Sequence, residues 1–172
     1  MHTERLLFSP WTEADWLALK PIATDPEVMR YISEGQPWPD DRIQEFVNRQ
    51  ITCLRDHGFC MWRLIERGTD QMIGFCGLQP LAKTPEIEIG WWLARSHWGR
   101  GLATEAAHAV LQGGFGRAGL KRIVAVAQPA NRASLRVMQK LGIHYERDTQ
   151  HKGIDVVLYA IDAPTTPVSS GK

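Results

Sequence analysis

Two glycines flank one arginine in Gly99-Arg100-Gly101, where an apolar and aromatic run gives way to Leu102-Ala103-Thr104-Glu105-Ala106. Residues 88–93 (E-I-G-W-W-L) have the composition of a buried strand. From Leu102 onward Ala, Thr and Glu favour helix. A strand, a glycine-rich turn and a helix start in that order make a place to hold phosphate. The first helical N–H groups have no partner inside the helix, the helix dipole adds partial positive charge, and glycine admits close approach. An ordinary strand–helix turn also uses glycine, but two glycines beside a T-E-A helix start favour the anion site. The Arg100 side chain either adds charge near a phosphate or is solvated.

The elements around this turn follow from patterning. Residues 3–8 read as a first strand ended by Ser9-Pro10, and Thr12 with Asp15 predicts a capping box for a helix over 13–23. Asp25-Pro26 starts a short helix carrying Val28, Met29 and Tyr31. After the loop 35–39, a longer helix over 40–56 carries Ile43, Phe46, Val47, Ile51 and Leu54 on one face, with Gln50 as the polar exception in that stripe. Residues 59–66, 71–80 and 86–93 predict a β-meander. The helix from Leu102 is expected to stop at Gly113-Gly114-Phe115-Gly116. Residues 121–128 read as a strand covered on both faces, so the strand–helix–strand unit predicts a right-handed parallel crossover. A helix over 132–140 and a closing strand pair over 143–147 and 153–161 complete the pattern.

Length and composition bound the function. The 172 residues suit a single domain, expected over 1–162, with a Pro/Ser/Thr-rich tail over 163–172 expected to be disordered. A net charge of +1 gives no global field for nucleic acid or an anionic membrane. Residues 1–5 have no apolar run of the signal-peptide kind, and no segment approaches the length of a membrane span. Cys53, Cys60 and Cys76 lack metal-ligand spacing, so no metal is expected. Reduced thiols in the cytoplasm are the simplest reading.

Three segments occur in order: E-I-G-W-W-L (88–93), W-G-R-G-L-A-T-E-A (98–106) and N-R-A-S-L-R-V-M-Q-K-L-G (131–142). Together they resemble the GNAT acetyltransferases, most of all the sub-type of ribosomal-protein N-terminal acetyltransferases and their small-molecule relatives. T-E-R-L near the start and D-P-E-V-M-R-Y (25–31) are similar to that sub-type too. The resemblance implies an α+β fold with a mixed sheet of about seven strands, flanked by helices and holding a central splayed parallel pair. It also implies acetyl-CoA as co-substrate and acetyl transfer to a primary amine, on a small molecule or a protein N-terminus, by direct attack in a ternary complex.

The resemblance also assigns roles. The turn Trp98, Gly99, Arg100, Gly101, Leu102, Ala103 and Thr104 would hold the pyrophosphate. Main-chain groups of Trp91, Trp92 and Leu93 would bind the pantetheine arm, and an N–H there would polarise the thioester carbonyl; the side chains of at least two of these residues read as core. Asn131 looks like the family's CoA-contacting Asn, a role compatible with capping the following helix. Many GNATs place a Tyr acid seven residues after that Asn; here the position is Met138, which cannot donate a proton. The acid role therefore shifts to Ser134 or to water.

A neutral amine requires a base or a water relay. Glu88 is the leading candidate, a carboxylate two residues before Gly90 whose burial would raise its pKa; a solvated strand face or salt bridge is the competing reading. Acceptor specificity is expected from the 34–38 loop, the first helices and the His151 loop, with Glu34, Trp38, Glu88 and His151 as substrate-binding residues. N-terminal peptides, polyamines, amino acids and aminoglycosides all remain open, as do monomer and homodimer. A catalytically inactive acyl-CoA-binding module acting as sensor or partner is the alternative. A Rossmann unit is disfavoured, because the G-x-G falls midway along the chain and lacks the third glycine and the acidic residue.

Overall fold

The structure is a computed structural model that describes residues 1–164; most of the expected tail lies outside the described residues. Seven strands form one sheet: β1 (Leu6–Ser9), β2 (Met61–Glu66), β3 (Gln71–Pro80), β4 (Ile87–Leu93), β5 (Arg122–Ala127), β6 (His144–His151) and β7 (Ile154–Asp162). Their order is β1-β2-β3-β4-β5-β7-β6, and only β4 and β5 run parallel among these neighbours. The helices are α1 (Trp16–Ala23), α2 (Pro26–Met29), α3 (Asp40–His57), α4 (Leu102–Gly116) and α5 (Arg132–Lys140). The seven-stranded mixed sheet agrees with the expected fold class. No helix among the described residues is long and apolar enough to cross a membrane.

The sheet separates two cores. On one face α4 and α5 bury Ala106, Ala107, Val110 and Met138 against Leu78, Ile89, Ile123 and Ala125. On the other, α1 to α3 bury Leu19, Ile43, Phe46 and Val47 against Met61 and Phe75. Side chains alternate along a strand. Ile87, Ile89, Trp91 and Leu93 of β4 therefore pack with the α4 core, while Trp92 packs with the α3 core. Glu88 and Gly90 share the parity of Trp92, so the carboxylate projects toward α3.

The parallel pair diverges. β3 and β4 are in register from Pro80↔Ile87 to Gly74↔Leu93, and β5 pairs β7 along its whole length. Between β4 and β5 a single registered pair remains, Glu88↔Val124. Beyond it, residues 89–93 and 125–127 face each other across an open gap whose strand edges carry unpaired backbone groups.

Two expectations change. α4 runs to Gly116 rather than ending at Gly113. A Cβ on Gly114 would lie 2.9 Å from Ile123 Cδ1 and 3.0 Å from Leu78 Cδ1, so this glycine serves close helix–sheet packing. The first helical segment is split: residues 13–15 form a 3₁₀ turn before α1. There the Thr12 N–H donates to the Asp15 carboxylate at 2.6 Å.

Candidate active site

The gap between β4 and β5 opens into a cleft of about 200 Å³ lined from both faces of the sheet. Glu88, Trp91 and Trp92 of β4, Asn131 and Ser134 at the start of α5, Glu34 and Trp38 of the loop before α3, and His151 at the end of β6 all line it. These residues are far apart in sequence, and the sheet order brings them together. A hydrogen bond from Gln128 Nε2 to the Ser33 carbonyl, 3.0 Å, ties the end of β5 to the loop that forms the far wall.

Glu88 lines the cleft from β4. Burial pushes its carboxyl above the ordinary range; a hydrogen bond from Gln79 and the charges of Lys152 and Arg49 pull the other way without reversing the shift. Gln79 is its direct cross-strand neighbour and donates from Nε2 to Glu88 Oε1 at 2.5 Å. Among the described residues nothing donates to Oε2. Gly90 lies next on the same face, and the absence of a side chain leaves space between Glu88 and Trp92. A Cβ there would come 3.0 Å from Met61 Cε. Glu86, by contrast, lies outside β4 and pairs with Arg122 at 3.4 Å.

Asn131 caps α5, its Oδ1 accepting from the Ser134 N–H at 3.2 Å. This is the capping role expected from sequence, and it uses the Ser134 backbone N–H rather than its hydroxyl. Met138, on the same helix, is buried in the cleft wall. His151 also lines the cleft; burial, then the Lys152 charge, lowers its pKa, so near neutral pH the ring is uncharged.

The wall of the cleft formed by Trp38, Phe46, Phe75 and Trp92 is aromatic. Trp38 and Trp92 meet at 4.7 Å, and Phe46 and Phe75 at 4.8 Å. The Trp38 indole Nε1 is buried with no partner among the described residues. Glu34, expected beside it, pairs with Arg42 at 3.3 Å, and the Arg42 guanidinium lies 4.7 Å over the Trp38 ring.

The glycine turn lies at the other end of β4, past Leu93, which is buried. Gly99 and Gly101 adopt φ of +73° and +78°, the left-handed conformation that glycine tolerates. The first bond of α4 runs from the Glu105 N–H to the Gly101 carbonyl at 3.0 Å. The N–H groups of Leu102, Ala103 and Thr104 therefore remain without a helical partner. The turn is braced on both sides. Trp98, itself about half exposed, donates from Nε1 to the Leu93 carbonyl at 2.9 Å. Arg100 pairs with Glu66, and His97 Nε2 lies 3.3 Å from the same carboxylate. Hydrogen bonding from Arg100 holds the Glu66 carboxyl below its usual range. The Arg100 side chain is thus occupied with the scaffold, while Arg5 donates to its carbonyl at 2.9 Å.

Sequence reasoning missed Gln79, Gln50, Arg49 and Lys152. Gln50 left one signal, a polar residue in the apolar stripe of α3. The other three carry no pattern that sets them apart from ordinary surface or strand residues.

Comparison with known proteins bears on the same features. Residues 5–144 match the acetyltransferase (GNAT) domain family. An uncharacterized N-acetyltransferase, YnaD of Bacillus subtilis, is 34% identical over 148 residues, which cover 85% of this chain and 84% of the relative. The crystal structure of a GNAT-family acetyltransferase from Bacillus anthracis superimposes with a TM-score of 0.80 at 31% identity, covering 95% of this chain and 98% of the other. RimL, a ribosomal L7/L12 α-N-protein acetyltransferase solved with coenzyme A, shares the fold at a TM-score of 0.75 and 20% identity, covering 93% and 95% of the two chains.

Proposed function

This chain belongs to the GNAT acetyltransferase family, and from that premise we propose that it moves an acetyl group from acetyl-CoA to a primary amine by direct attack in a ternary complex. The observation that carries this reading is the splayed β4–β5 gap, which opens onto one cleft shared by Glu88, Asn131 and Ser134.

The donor half fits the chain. The unpaired N–H groups at the start of α4 and the left-handed glycines before them suit a pyrophosphate, with Trp98 to Thr104 as the holding segment. The open edge of 89–93 offers main-chain groups to an extended arm, as an exposed strand edge does to any extended partner. Acetyl-CoA supplies the acetyl group there as a thioester. Trp91, Trp92 and Leu93 direct it toward the cleft, where a backbone N–H is available to the carbonyl oxygen.

In the acceptor half, Glu88 takes one proton from the attacking amine through Oε2, directly or through a water. A C–N bond forms as the C–S bond breaks. Ser134 delivers a proton to the departing sulfur and regains one from solvent water, Glu88 returns the amine proton to solvent, and the products are an amide and free thiol. Its hydroxyl replaces the tyrosine that Met138 does not supply. Trp38 and His151 border the amine. Glu34 borders the same cleft, where its exposed pairing with Arg42 leaves its charge within reach of a cationic acceptor.

The test is release of free thiol from acetyl-CoA against a panel of amines and N-terminal peptides, run beside calorimetric binding of CoA. The transferase reading predicts acceptor-dependent thiol release. CoA binding with no release for any acceptor would instead mark a module that binds acyl-CoA without turnover.

A further inference from the structure

Gln50 is fully buried in the stripe of α3 that otherwise holds Ile43, Phe46, Val47 and Cys53. An amide in such a place is unfavourable unless both ends are bonded. Both are. Its Oε1 accepts from the Met61 backbone N–H at 3.0 Å, and its Nε2 donates to Gln79 Oε1 at 3.2 Å. Gln79 Nε2 then donates to Glu88 Oε1. The chain crosses from α3 through β2 and β3 to β4.

The direction of this chain is forced. A backbone N–H can only donate, so Gln50 must turn its oxygen to Met61 and its nitrogen to Gln79. Gln79 must then turn its oxygen to Gln50 and its nitrogen to Glu88. Three elements thus conspire to place an N–H, and never a carbonyl, against the Glu88 carboxylate. That donor favours the ionised form and occupies Oε1. Oε2 is left as the oxygen to which nothing donates among the described residues.

We propose that Gln79, locked in orientation by the buried Gln50, is a positioning residue that fixes Glu88 as a proton acceptor working through Oε2. The proposal rests on Glu88 being the base of the transfer described above. Other charged or titratable groups lie around Glu88: Arg49, Cys53, Asp56 and His57 on α3, and His151 and Lys152 from β6 and its turn. Tyr31 and Glu34 also line the cleft. Substitution at Gln79 or Gln50 removes none of these groups.

The experiment is a ¹³C NMR titration of the Glu88 side-chain carboxyl, assigned by its disappearance in Glu88→Gln, in wild type, Gln79→Leu and Gln50→Met. Gln79→Leu should raise the midpoint by about one pH unit, the scale of one charged hydrogen bond. Gln50→Met, which frees Gln79 to flip, should raise it by less. The acid limb of kcat/KM should move upward with the midpoint, while KM for acetyl-CoA stays unchanged. An unmoved midpoint in a Gln79→Leu protein that still binds acetyl-CoA would overturn the proposal. So would a rate lowered equally at every pH, which is the mark of lost packing. Where Gln79→Leu fails to fold, the Gln50→Met midpoint decides alone, and no shift there overturns it too. The titration needs no turnover, so failure of the transferase reading is separate: it is seen as absence of thiol release by wild type.

Discussion

Trp38 carries the only buried side-chain polar atom without a partner among the described residues. Leaving a buried donor unpaired costs on the order of 1–3 kcal/mol, so a ligand oxygen that reaches this indole gains by pairing it. Trp38→Phe keeps an aromatic ring against Trp92 and deletes the N–H. Steady-state kinetics should show the acceptor KM rise by roughly five- to tenfold, the worth of one neutral hydrogen bond, with acetyl-CoA binding unchanged. Ser134→Ala should lower kcat on the order of a hundredfold if its hydroxyl is the general acid. Circular dichroism should stay native, since Asn131 caps α5 through the Ser134 backbone N–H rather than its side chain. Residue type singled out Glu88, Trp38 and His151 in the sequence and the family resemblance singled out Asn131 and Ser134; all five line one cleft. Gln79 was not legible, and Gln50 showed only as a polar break in an apolar stripe. Amides do not titrate, and their effect on Glu88 exists only once α3, β2, β3 and β4 meet.

The strand–turn–helix around Gly101 was readable from order alone, since a strand-like run, two glycines and a helix-forming stretch have one simple local solution. Its bracing was not, because Glu66, Arg5 and the Leu93 carbonyl come from outside the turn. Gly101 has φ +78° as the N-cap of α4. Gly101→Ala forces a Cβ into that conformation at a cost of about 1 kcal/mol. Calorimetry should show acetyl-CoA binding weakened about fivefold, with little change at the acceptor. Gly113 and Gly114 illustrate the opposite case. Glycine predicts a helix end, yet Gly114 sits inside α4 because the sheet side chains of Leu78 and Ile123 lie close beneath it. Gly114→Val should overpack this contact and cost about 1–3 kcal/mol, measured as a lowered midpoint in thermal or urea unfolding. Tertiary packing, which local sequence does not encode, decided which glycine ends the helix.

At the scale of the whole molecule, one sheet does two jobs on its two faces. The α4 core holds the strands and sets the first turn proposed to face the donor phosphates. The α3 core carries the aromatic wall and the buried amide, and the cleft is lined from both faces. The split between β4 and β5 joins them, since it starts at the Glu88↔Val124 pair and opens toward the glycine turn. The parallel crossover was legible from the strand–helix–strand order, but the point of divergence was not, because register is fixed by contacts between distant segments. Burial raises the Glu88 carboxyl, and a base works only when deprotonated. The rate should therefore rise with pH through a limb lying above the range of an exposed glutamate. The most direct measurement is kcat/KM for thiol release by wild type and Glu88→Gln with the best acceptor, beside the acetyl-CoA Kd of each. The proposed mechanism predicts a fall of roughly 10²- to 10⁴-fold, the usual contribution of a general base, with Kd unchanged and the acid limb lost. A Glu88→Gln enzyme that keeps the full rate and the same pH profile would contradict it.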